Sequence, residues 1–161
     1  MLEFLRGKST DRKLRLFSIA CVIAADIRYP GNKYLDAFDR HADGIETEED
    51  KWLLGNDWTP AWESAYLSIG YTGNNGLDSR ILRDIFGNTF IPLNIDYTWL
   101  TFIVQSLATA IYNDRAFDRL PILADVLQKA GCDNDAILTH CRSDGPHVRG
   151  CWVVDLVLGK S

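Results

Sequence analysis

Apolar residues recur along most of this chain every three or four positions, which is the spacing of an amphipathic helix. The clearest segment is residues 11–28, which are so rich in apolar side chains that we expect a central, buried helix. The same spacing predicts further helices over residues 32–43, 48–54, 60–70, 77–86, 98–113 and 120–130.

Capping residues and helix breakers divide the pattern into short elements. Thr47 precedes three acidic residues, which is typical of a helix start. Gly87 and Asn88 end another helix, and a helix that begins at Asp96 or Thr98 follows. In residues 90–96, apolar side chains instead alternate with other residues around a proline. This pattern predicts a short extended segment that crosses the domain. We therefore expect an all-α fold, a single compact domain (residues 1–161) of about seven or eight helices.

The last thirty residues contain most of the side chains that could bind a metal or act as a nucleophile. They include three of the four cysteines and two of the three histidines. Asp133 or Asn134 can cap a short helix, and the turn that begins at Ser143 ends it. Residues 151–158 are apolar except for Asp155. Such a run fits a buried strand or a buried helix, and we favour a helix because the chain before it is helical.

Composition and charge narrow the class of protein. Of the 161 residues, 47% are hydrophobic and 24% charged, as in globular domains. The net charge of −5 disfavours direct binding to nucleic acid. We see no signal peptide and no run of 18 apolar residues, so we expect no membrane association. Four cysteines without a framework-like spacing favour free thiols in a reducing compartment, and hence a cytoplasmic protein.

Several stretches resemble an uncharacterised family of helical proteins abundant in planctomycetes. They are LEFLRGKSTDRKLRLF near the start, ILRDIFGNTF (residues 81–90), AIYNDRAFDRLPILADVLQKAGCDNDAILTHCR (110–142) and GPHVRGCWVVDLVLGK (145–160). Residues 21–80 match that family much less well. The C-terminal stretch also looks like the tail of some larger multidomain bacterial proteins. The resemblance implies a compact helical module, used as an adaptor, in a bacterial protein. It supplies no catalytic residues.

The C-terminal cysteines and histidines raise the possibility of a zinc site. Thiolates and imidazoles are the ligands that tetrahedral zinc prefers. No C-x2-C pair is present, and neighbouring helical residues such as His140 and Cys141 point about 100° apart. The candidate ligands are Cys132, His140, Cys141, His147 and Cys151.

A thiol nucleophile is a second possibility for the same stretch. Cys151 follows a glycine at a possible helix start, where the helix dipole lowers the pKa of a thiol. His147 and Asp155 lie four residues to either side, so one continuous helix would align all three. Gly150 argues against that continuity. The alternative is structural, with the cysteines as small core residues and the histidines bound to nearby carbonyls or carboxylates.

The tryptophans suggest a different kind of function. Trp52, Trp58 and Trp62 lie within eleven residues beside a glycine- and asparagine-rich loop, and aromatic anchors dominate protein interfaces. We therefore expect a non-enzymatic protein-interaction or accessory module that binds another protein, with no catalytic residue and no cofactor. The alternative is a metal-binding or thiol-dependent enzyme at the C-terminal cluster, with zinc as its cofactor. A further alternative is an accessory subunit of a complex that handles nucleic acid.

Overall fold

A computed structural model describes residues 5, 7–25, 32–55, 60–69, 73–88 and 95–160. Within these ranges the chain forms nine α-helices and two short 3-10 turns, and no strand occurs there. The all-α prediction is confirmed, with more helices than the seven or eight expected. The helices are α1 (Asp11–Ala24), α2 (Asn32–Ala42), α3 (Glu48–Leu54), α4 (Ala61–Ser68), α5 (Asn75–Phe86), α6 (Phe102–Asp114), α7 (Leu120–Lys129), α8 (Asp135–Cys141) and α9 (Trp152–Leu158).

The chain divides into two compact units, Met1–Leu82 and Arg83–Ser161. Helix α5 contains the boundary, so its last turn belongs to the second unit. That the whole chain is a single domain stays a prediction. All five candidate metal ligands and the terminal apolar run lie in the second unit, which therefore contains the chemistry of interest.

In the first unit, α1 packs against α2 and α4, and α2 also packs against α3. The side chain of Thr10 accepts a hydrogen bond from the backbone N–H of Lys13 and caps the start of α1. Thr47 and Asp50 form a reciprocal capping box at the start of α3. Arg40 binds the same Asp50 carboxylate, so one buried acid joins two helices.

In the second unit, α6 packs against α7 and α9, and α8 packs against α7 and α9. Their facing sides form one apolar core that continues from α6 to the last turn of the chain. The residues of this core that are wholly inaccessible to solvent are Val104, Ala108, Ile111, Leu120, Leu123, Ala124, Leu127, Cys141, Cys151, Val153 and Val154.

The start of α6 differs from the prediction. The Asp96 side chain accepts hydrogen bonds from the backbone N–H and the hydroxyl of Thr98, which begins only a 3-10 turn. The helix itself begins at Phe102, where the Thr101 side chain accepts from the N–H of Val104. The spacing of apolar residues predicts one continuous helix here. Two capping residues five positions apart, Asp96 and Thr101, instead divide it into a 3-10 turn and a helix. Most of the predicted extended crossing, residues 90–94, lies outside the described residues.

The terminal run is a helix, as favoured, and not a strand. Helix α9 follows Cys151 and ends at Gly159, whose left-handed φ of 66° suits glycine. None of the helices that the structure describes has both the length and the apolar character needed to span a bilayer.

Two isoleucines test the position of this core. Ile111 is wholly buried on α6, whereas Ile122 on α7 is 54% exposed. Ile111→Ala should lower the free energy of unfolding by about 2–5 kcal/mol, because it leaves a cavity. Ile122→Ala should change it by no more than about 0.5 kcal/mol. Urea unfolding followed by circular dichroism measures both, and equal effects would contradict the described packing.

Candidate metal centre

A buried carboxylate on α5 gathers the polar side chains of the C-terminal stretch. Asp84 is 3% exposed, on the same helix face as the buried residues Ile81 and Ile85. Its Oδ1 lies 2.7 Å from Nδ1 of His147 and 3.1 Å from Nε2 of His140. One carboxylate oxygen thus contacts two imidazoles from different parts of the chain.

Cys151 completes the cluster. Its Sγ lies 3.2 Å from Nε2 of His140, the same nitrogen that approaches Asp84. One oxygen, two nitrogens and one sulfur, from Asp84, His140, His147 and Cys151, all lie within 4.8 Å of one another. Carboxylate, imidazole and thiolate are all established ligands of zinc, so this is a candidate four-ligand site.

Local structure places each of these groups. Asn134 caps α8 by accepting from two backbone N–H groups, and His140 lies in the last turn of that helix. The irregular residues 142–150 then carry His147 past Asp84. A side chain at Gly145 would approach the backbone nitrogen of His147 to 2.8 Å, so the close turn there requires glycine. The four groups of the cluster therefore come from a helix, a helix end, a loop and a helix start.

Hydrogen bonds around the cluster fix which atoms face its centre. The backbone N–H of Val148 donates to Oδ2 of Asp84 at 2.9 Å, which leaves Oδ1 facing the two histidines. Nε2 of His147 lies 3.1 Å from the carbonyl oxygen of Ser143. A carbonyl can only accept, so this nitrogen carries hydrogen and donates. Nδ1 of His147 faces Asp84 and would be the ligand atom of this ring if a metal bound, in the arrangement that metal-binding histidines usually show.

The short contact between His147 and Asp84 requires a proton or a metal ion between the two groups. Because Nε2 of His147 carries hydrogen, the Nδ1–Oδ1 contact of 2.7 Å is a hydrogen bond only if Nδ1 also carries hydrogen and donates to Asp84. Two acceptors at that distance repel unless a proton or a metal ion lies between them. A metal ion at the centre of the four groups would relieve this contact and use the lone pairs of all four ligands together.

Three separations between the candidate ligand atoms can be compared with those of a zinc site. Zinc bond lengths place tetrahedral ligand atoms about 3.3–3.6 Å from one another. The three contacts of 2.7, 3.1 and 3.2 Å are slightly shorter than this. Outward movements of a fraction of an ångström at the two histidines would admit the ion, and both side chains are partly exposed.

The pKa shifts of the two anionic ligands differ in direction. Burial acts to raise the pKa of Asp84, but hydrogen bonds from His140, His147 and Val148 together hold this pKa below its usual value. Burial and the nearby Asp84 charge raise the pKa of the Cys151 thiol well above 9, although backbone N–H groups oppose them. Asp84 is therefore ionised at neutral pH, whereas Cys151 is a protonated thiol, and a metal would have to displace that proton to bind the sulfur.

The predicted zinc ligands separate into two groups. His140, His147 and Cys151 come together, whereas Cys132 and Cys141 lie in the apolar core of the second unit. Helix α8 continues through Cys141, so the 100° between neighbouring residues turns His140 toward the site and Cys141 toward the core. The fourth member of the cluster is Asp84, which the sequence analysis does not include among the candidate ligands. Its one signal was a carboxylate on the apolar face of a predicted helix.

The predicted thiol triad does not form from the residues that spacing aligned. The imidazole nitrogen 3.2 Å from Cys151 belongs to His140, and the carboxylate beside that nitrogen belongs to Asp84. Residues 147–151 are not helical, so His147, Cys151 and Asp155 do not share a helix face. The interruption at Gly150 is the reason, as its positive φ of 95° shows.

The tryptophan surface is described only in part. Trp52 on α3 is 84% exposed. Trp58 and the side chain of Trp62 lie outside the described residues. Their joint use as a partner surface stays a prediction.

Comparisons with family models, curated proteins and solved structures return no match. The resemblance to planctomycete helical proteins therefore stays a prediction, and the site has to be interpreted from its own geometry.

Thiol labelling separates a metal ligand from a nucleophile. Because Cys151 is buried and its pKa is raised, iodoacetamide should label it slowly in the native, metal-free protein at pH 7.5. In urea all four cysteines should react at similar rates. Peptide mass spectrometry reads out each position. Fast and selective labelling of native Cys151 would contradict this description and favour a thiol enzyme.

Proposed function

We propose that the C-terminal unit is a metal-binding accessory module, in which Asp84, His140, His147 and Cys151 hold one zinc ion. The observation that carries the proposal is the convergence of their four ligand atoms within 4.8 Å. One thiolate and two imidazoles favour zinc or a similar transition metal over magnesium or calcium, which prefer oxygen ligands. The proposal retains the zinc site that the sequence analysis gives as an alternative. In the ligand set, Asp84 takes the place of Cys132 and Cys141.

The ligand set supports a structural role for the ion. Structural zinc sites have four protein ligands, whereas catalytic sites keep one position for water or substrate. Here four protein groups are at hand, and Asp84 and Cys151 are both buried. We therefore interpret the module as non-enzymatic, with the ion stabilising the fold of the second unit.

The geometry argues against thiol catalysis at the same place. A Cys–His–Asp arrangement uses one imidazole nitrogen for the sulfur and the other for the carboxylate. At His140 the single nitrogen Nε2 is close to both Cys151 and Asp84. A carboxylate beside Nε2 cannot hydrogen-bond to Nδ1, so it cannot orient the imidazole as a catalytic triad requires. It can, however, bind the same metal ion as Nε2.

Metal titration tests the proposal. The purified protein should bind one equivalent of zinc, measured by competition with a chromophoric chelator. Cys151→Ala and His147→Ala should each weaken binding by about 100-fold or more, since even loss of a supporting hydrogen bond at a metal site costs 10–100-fold.

Cys132→Ala is the matched control for this titration. Cys132 is another buried cysteine of the same unit and the same apolar core, but it is not part of the cluster around Asp84. This variant should bind zinc as the unmodified protein does. Loss of zinc in Cys132→Ala, or unchanged binding in Cys151→Ala, would contradict the assignment.

A second proposal concerns interaction with another protein. An indole exposed over 84% of its surface, as at Trp52, exposes more apolar area than most surface positions do. We infer that this side chain contacts a protein partner, in keeping with an accessory role. The four cysteines are free thiols, which supports a reducing compartment such as the cytoplasm.

The Trp52 proposal has its own test. Trp52→Ala should abolish capture of a partner from a native lysate of the source cells, because aromatic anchors carry most of an interface's binding energy. Lys51→Ala, on the same exposed helix, should retain the partner. Circular dichroism checks that both variants fold. Equal capture by both would remove Trp52 from the interaction surface.

A further inference from the structure

The proposed ligands are unevenly distributed along the chain. His140, His147 and Cys151 lie within twelve consecutive residues, whereas Asp84 lies on α5, far earlier. An ion bound by all four would join the last turn of α5 to both sides of the irregular residues 142–150. It would act as a cross-link between the beginning of the second unit and its end.

The residues that this cross-link would hold have little regular structure of their own. Residues 142–150 form turns and extended backbone but no helix. Asp84 already anchors them at two neighbouring points, through His147 and through the N–H of Val148. Arg149 lies over the ring of Tyr112 at 4.3 Å and ties the same stretch to α6.

Helix α9 depends on its attachment. It has only seven residues, and isolated helices of that length do not persist in water. Its buried side chains pack on α6 and α8, and the Trp152 ring lies so close to Gly87, after the end of α5, that a Cβ there would approach it to 3.0 Å. Cys151, the residue that begins α9, is itself a proposed ligand. A metal ion would therefore hold the point at which the terminal helix starts.

We propose that occupancy of this site controls the docking of the terminal segment, residues 143–160. The proposal rests on the proposed metal function and adds its regulation. With zinc bound, the segment is fixed against α5 and α6. Without zinc, the segment stays packed but opens transiently more often, and each opening exposes the side of α6 around Ile111 that α9 covers. We call this role of the ion the latch: the ion holds residues 143–160 in their packed position and does not stabilise the rest of the chain.

Hydrogen exchange with mass spectrometry on the full chain tests the latch. The protein is compared with excess EDTA and with one equivalent of zinc chloride, and native mass spectrometry of the same samples counts bound zinc. Amides of residues 143–160 should exchange at least about tenfold more slowly with zinc, because local opening must then break metal bonds. Amides of α1, in the first unit, should change less than about twofold.

Two aspartate variants make the test specific. Asp84→Asn keeps the size of the side chain and an acceptor for Val148 but removes the ligand charge, so zinc should no longer protect the segment. Asp125→Asn is the control. Its carboxylate is 2.8 Å from Arg142, next to the same loop, but it is exposed and outside the cluster. That variant should respond to zinc as the unmodified protein does.

The outcomes separate the two proposals. If no zinc binds, the proposed metal function fails and the latch fails with it. If one zinc binds but residues 143–160 exchange at the same rate, the latch is wrong while the metal site stands. Protection that rises equally in α1 and the terminal segment would also overturn the latch, since the ion would then stabilise the whole chain. Zinc-dependent protection that persists in Asp84→Asn would overturn the cross-link through α5.

Discussion

The buried carboxylate of Asp84 is the constraint on which the end of the second unit depends. An ionised group surrounded by apolar side chains is costly unless its oxygens have partners. Here two imidazoles and one backbone N–H supply them, and all three come from the last quarter of the chain. Satisfying this one acid therefore determines where residues 140–148 can lie. Removing it would leave those groups without their common partner.

The start of helix α9 is held in place both by apolar packing and by the polar cluster around Asp84. Helix α9 buries Val153 and Val154 against the core, while Cys151 at its start faces the cluster. Trp152 lies between the two, with its ring 5.1 Å from that of His140. A change at the polar cluster would therefore reach the docking of the terminal helix directly, because the two share consecutive residues.

Local features of the sequence predicted local features of the structure well. Thr47 caps its helix as expected, and the apolar run after Cys151 is a helix. Three of the five candidate zinc ligands also come together. Asp84 could not be predicted from spacing, because its approach to His140 depends on packing between distant helices. The position of Cys141 could not be predicted for the same reason, because only the packing of α8 shows that this side chain faces the core.

X-ray absorption at the zinc edge of the zinc-loaded protein tests the central claim most directly, because it counts sulfur ligands at the ion. The account predicts one sulfur at about 2.3 Å and three nitrogen or oxygen ligands at about 2.0–2.1 Å. Two or three sulfurs would mean that Cys132 or Cys141 joins the ion. That result would contradict the centre built on Asp84, His140, His147 and Cys151.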